Sequence, residues 1–199
     1  MQPLTRVLAT ATLLSLPALT LAHVGADAGG HHDGLGAGFM HPFTGTDHLV
    51  AMLAVGVWSA LAAAQTGWRS LAAAPLSFAA WLLVGAMLAP GGLSLPAVEP
   101  MIAVSLLVLG LLVATRRALP TAAGAALVGG FALFHGAAHG SELAGGAALA
   151  GMVLATALLH GAGLLIGVLI NRQRRDRSVW LARAAGLASA TFGAALLLA

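Results

Sequence analysis

His41-Pro-Phe-Thr-Gly-Thr-Asp47-His48 runs straight into Leu49-Val-Ala-Met-Leu-Ala-Val-Gly-Val-Trp58. Two histidines and an aspartate therefore stand at the mouth of an apolar run long enough to enter a bilayer. An aspartate at the centre of a membrane helix costs about 3 kcal/mol on insertion scales. Ionisable groups held in such segments mark functional sites.

The rest of the chain has the composition that this stretch implies. Of 199 residues, 59% are hydrophobic and 8% charged, against about 25% charged in soluble domains. The chain reads as an all-α, polytopic membrane protein. Its net charge of +3 rests on arginine alone, and those arginines cluster in short loops between apolar spans. They do not form the single basic face that nucleic acid requires, so no nucleic-acid partner is expected. There is no cysteine, which excludes disulfides, thiolate metal sites and iron–sulfur clusters. There is no lysine either, so the chain carries no Walker A loop and is not by itself a P-loop ATPase.

Residues 1–22 read as a secretory signal, with Arg6 as its positive head, Val7 to Leu21 as its apolar core and Thr20-Leu21-Ala22 as its cleavage site. Residues 23–40 read as a glycine- and histidine-rich periplasmic arm. Residues 41–199 form the membrane domain, with six spans expected at about 42–64, 71–89, 98–115, 122–139, 144–170 and 179–198. Pro42 is expected to open the first span. Arg69, Arg116, Arg117, Arg172, Arg174, Arg175 and Arg177 all fall after odd-numbered spans, and Arg183 lies near the start of the sixth. The positive-inside rule then makes those loops cytoplasmic and places both mature termini outside.

With this orientation the polar groups gather at the outer side. His135 and His139, spaced i and i+4, share one helical face, the arrangement used to chelate a metal from a helix. Asp47, His48, His135 and His139 form the expected centre, with His41 and Glu142 nearer the entrance. In a continuous helix His41 and His48 would stand about 10 Å apart along the axis, so sharing one ion would require unwinding around Gly45. His160 lies deeper and reads either as a packing residue or as an accessory ligand. Met52 reads as packing. The GxxxG pairs Gly136/Gly140 and Gly163/Gly167 read as close helix contacts. In the arm, His23, His31, His32 and Asp33 are candidates for accessory metal capture, with a free α-amine at His23 if cleavage follows Ala22. Imidazole and carboxylate without thiolate suit nickel, cobalt or zinc, and ligand type does not rank them.

The two motifs, His41-Pro-Phe-Thr-Gly-Thr-Asp47-His48-Leu-Val-Ala-Met52-Leu-Ala-Val-Gly56 and Phe134-His135-Gly-Ala-Ala-His139-Gly-Ser-Glu142, resemble the HupE/UreJ family of small bacterial nickel (sometimes cobalt) permeases, linked to hydrogenase and urease. The resemblance covers nearly the whole chain. Val50 stands where leucine is expected, and the histidine-rich arm is an addition. What the resemblance implies is a secondary inner-membrane permease importing Ni²⁺ or Co²⁺ through His41, Asp47, His48, His135, His139 and Glu142. The expected partners are the ion, as substrate, and the lipid bilayer; a homo-oligomer is compatible with the pattern, and no resident cofactor is expected. Two rival readings use the same side chains: an intramembrane zinc hydrolase with Asp47 or Glu142 as base, and a haem-binding electron carrier.

Overall fold

Thr44 and Thr46 belong to different helices. In the computed structural model, which describes residues 34–89, 95–140, 143 and 145–199, the helix expected to open at Pro42 is two helices. The first, α1, spans Leu35–Thr44 and α2 spans Thr46–Thr66. Gly45 between them is extended, at φ −84° and ψ 109°. Pro42 sits near the end of α1 and not at the head of α2. It lacks the N–H that would bond the Gly38 carbonyl, and the helix ends two residues later. Residues 35–40, read with the arm, are therefore helical. The signal segment 1–22 and the arm up to residue 33 lie outside the described residues.

Five further helices follow: α3 (Arg69–Leu88), α4 (Val98–Thr115), α5 (Thr121–His139), α6 (Gly145–Asn171) and α7 (Arg175–Leu198). Among the described residues all regular structure is helical, and α2 to α7 are each long and apolar enough to cross a membrane. At 10 residues α1 is about 15 Å long, half of what a crossing needs. At 27 residues α6 is about 40 Å long and must tilt or project. Leucines on the outside of the bundle, such as Leu76, Leu158 and Leu165, are exposed, as they should be where lipid is the solvent.

Small residues decide which helices approach most closely. The most extensive pairings are α3 with α5, α4 with α7, and α2 with α6. A Cβ on Gly136 would stand 2.0 Å from the Leu82 carbonyl oxygen, and one on Gly140 2.3 Å from that of Ala86. On the other side, Gly163 meets Leu53 and Gly167 meets Val57 and Ala60. Both GxxxG pairs are helix contacts, as their spacing predicts. α1 lies on α6, where Gly38 sits against the backbone of Ala148.

One end of the bundle is tied by polar side chains. Arg116, at φ 52° just past α4, donates to Asn171 Oδ1 at 2.7 Å and to Ser178 Oγ. Asn171 Nδ2 donates to the Ala60 carbonyl at 3.1 Å. Gln65 and Trp58 of α2 donate to the carbonyls of Arg116 and Arg117, at 2.8 and 2.9 Å. Carbonyls left open by the end of α4 thus find donors on α2. The opposite end holds the histidines.

Candidate metal centre

His41 comes from the last turn of α1, Asp47 and His48 from the first turn of α2, and His135 and His139 from the last turns of α5. His48, His135 and His139 are buried at 1, 0 and 8% exposure, and His41 is half-buried. Their rings meet edge to face: 4.3 Å between centroids for His48 and His139, 4.7 Å for His48 and His135, and 4.5 Å for His41 and His139. Asp47 Oδ1 lies 3.5 Å from His48 Nδ1, an ion-pair contact too long for a good hydrogen bond.

The break at Gly45 brings His41 into this group. Its ring centroid is 6.3 Å from that of His48, where one continuous helix would hold the pair about 10 Å apart. The unwinding that a shared ion would require is therefore built into the backbone. His41 thus touches the central histidines while being more exposed than they are. His160, by contrast, stands apart, separated from the cluster by Phe78, whose ring centroid is 5.6 Å from His135 and 5.1 Å from His160. Glu142, His23, His31, His32 and Asp33 lie outside the described residues.

The helix ends give the cluster its electrostatic sign. α1 and α5 both terminate here and direct their partial negative charge toward the histidines. α2 begins here with the opposite polarity, and Asp47 in its first turn offsets it. Two helix C-termini and one carboxylate favour a cation at this place.

Ser105 was not legible as a site residue, since a single serine in the apolar span of α4 has no spacing that links it to a histidine. Its hydroxyl donates to the Ile102 carbonyl at 2.6 Å and lies 2.9 Å from His135 Nε2. A hydroxyl has one proton. With that proton on Ile102, Ser105 can only accept from His135, so the His135 proton sits on Nε2 and Nδ1 carries the free lone pair. His135 Nδ1 is buried without a hydrogen-bond partner, as are both ring nitrogens of His48. A neutral imidazole carries one lone pair, so each of these two rings offers one nitrogen to a metal ion.

Among the described residues, no three of these side chains converge on a single point as they stand. Nitrogen–metal bonds are about 2 Å long, so loading requires the edge-to-face rings to turn. The arrangement is a set of donors gathered at one place, not a finished tetrahedral cage.

No solved structure matches the chain. It is 40% identical over 196 residues to Protein HupE of Rhizobium leguminosarum bv. viciae, covering 96% of this chain and 97% of that one. Residues 11–196 match the family described as HupE / UreJ protein. Six membrane helices, a histidine–aspartate cluster at one end and these matches agree: the chain is a multi-pass protein of the bacterial inner membrane and belongs to the HupE/UreJ family of nickel and cobalt transporters.

Proposed function

We propose that this protein is a secondary permease that carries Ni²⁺, with Co²⁺ as an alternative cargo, from the periplasm to the cytoplasm, where the ion supplies metalloenzymes such as hydrogenase or urease. The observation that carries this reading is the meeting of His41, Asp47, His48, His135 and His139, from three helices, at the end of the bundle away from the arginines. Buried lone pairs without partners, beside a carboxylate and two helix C-termini, replace part of the water shell of a dication. The membrane potential favours inward movement of a dication by about 4.6 kcal/mol per 100 mV. Facilitated movement therefore needs no ATPase. Glu142, three residues beyond His139, would extend the donor set on the outer side. His23, His31, His32 and Asp33 would raise the local ion concentration there. Family membership favours transport over zinc-dependent hydrolysis at the same cluster.

Uptake of radioactive nickel into proteoliposomes, with Co²⁺, Zn²⁺ and Mn²⁺ as competitors, tests the reading. His48→Ala, Asp47→Asn and His139→Ala are each expected to lower uptake at least about tenfold at unchanged membrane expression. Normal transport by all three variants would mean that the ion crosses elsewhere. Lipid turnover by the purified protein, lost on chelation, would replace the permease with the hydrolase.

A further inference from the structure

Thr156 and His160 lie one turn apart on the buried face of α6, at 0 and 3% exposure. Thr156 Oγ1 and His160 Nε2 are both buried without a hydrogen-bond partner. Helical hydroxyls in this chain normally satisfy themselves. Ser59, Thr66, Thr115 and Thr191 each donate to the carbonyl four residues back, at 2.7, 3.0, 2.6 and 2.8 Å. Thr156 does not, although the carbonyl of Met152 is available to it on the same helix. A hydroxyl and an imidazole nitrogen left open side by side are costly in an interior made of alanine, leucine and glycine.

Their depth gives them a use. α2 and α6 run side by side in the same direction: Gly56 packs on the His160 carbonyl and Gly163 on that of Leu53. His160 therefore stands near the level of Leu53, five residues or about 7 Å beyond His48 toward the arginine-bearing end. Phe78, fully buried, has its ring centroid 5.6 Å from that of His135 and 5.1 Å from that of His160. It therefore contacts both the cluster and His160, and its π face attracts cations.

Building on the permease reading, we propose that Thr156 and His160 form a second, transient station for the same divalent cation, one step inward from the histidine cluster and beyond Phe78. Two neutral donors and no carboxylate hold a dication more weakly than the cluster does, and an intermediate stop must release what it takes.

Equilibrium dialysis of the purified full-length protein against Ni²⁺, paired with proteoliposome uptake, tests this. The wild type is expected to bind one ion tightly and a second weakly. His160→Ala and Thr156→Val should lose the weak ion and keep the tight one, which also shows that these variants are folded. Their maximal uptake should fall about tenfold while half-saturation moves less than about twofold. Thr156→Ser should restore the rate. Wild-type maximal uptake in His160→Ala or Thr156→Val would overturn the station and leave the pair as packing around a trapped water. Loss of the tight ion in His160→Ala would also overturn it, by placing His160 in the cluster. Two further results separate the readings. No Ni²⁺ uptake by the wild-type protein would sink the permease reading itself. Tight binding and uptake that persist in His48→Ala would take the entry site away from the cluster and, with it, the step inward to Thr156 and His160.

Discussion

At the residue scale the decisive chemistry is the choice of which nitrogen is free. His135 is held by Ser105, whose proton is committed to Ile102, and the free lone pair of the ring is left at Nδ1 among the other histidines. Ser105 is a positioning residue and touches no ion itself. Ser105→Ala should let the ring change tautomer and orientation and weaken Ni²⁺ binding about 10- to 100-fold, the usual cost of losing a group behind a metal ligand. Ser105→Thr keeps the hydroxyl and should retain wild-type affinity. Calorimetric titration measures both, and the visible spectrum of bound Co²⁺ should shift in the alanine variant because the donor set changes. An unchanged spectrum and affinity in Ser105→Ala would leave the 2.9 Å contact without a role.

At the element scale the break at Gly45 does the most. It ends α1, starts α2 and swings His41 to within 4.5 Å of His139. Its φ of −84° is open to any residue, so alanine meets no backbone strain there. A Cβ would meet Asp47 Oδ1 at 3.2 Å, a tight contact with a side chain that can turn. Alanine also favours continuous helix over glycine by about 1 kcal/mol. Gly45→Ala should therefore fold, draw α1 and α2 toward one helix, and carry His41 away from the cluster. Uptake at limiting nickel is expected to fall several-fold while maximal uptake changes little. Equal loss at both concentrations would mean that the break serves the crossing and not capture.

At the scale of the whole molecule, the three most extensive helix pairings exchange among themselves, although the lesser ones do not. Exchanging α2, α3 and α4 for α5, α6 and α7 turns the α2–α6 pair into the α3–α5 pair and returns α4–α7 to itself. The glycine contacts make the first two pairs parallel and the third antiparallel. The direction of the bundle can be measured on a clean background, because the chain has no cysteine of its own. Gly146→Cys, in the first turn of α6, should react with an impermeant thiol reagent in intact spheroplasts. Gln173→Cys, at the arginine-bearing end, should react only after permeabilisation. The reverse pattern would put the histidine cluster on the cytoplasmic side and exclude capture from the periplasm.

Features that depend on neighbours along the chain are legible in the sequence. Six apolar runs mark six spans because a bilayer demands about 20 apolar residues of each. The i, i+4 spacing of His135 and His139 puts both on one face because helical periodicity is local. Arginine placement and the two GxxxG pairs are legible for the same reason. The tertiary structure alone decided which distant groups meet. Pro42 and Gly45 weaken the helix locally, but α1 also docks on α6 through Gly38 against Ala148, and no spacing within residues 35–48 encodes that contact. Ser105 and Phe78 look like ordinary residues of apolar spans until α4 and α3 bring them beside His135, 30 and 57 positions away in sequence. Close packing of glycine-lined helices sets those meetings, and a one-dimensional pattern does not carry them.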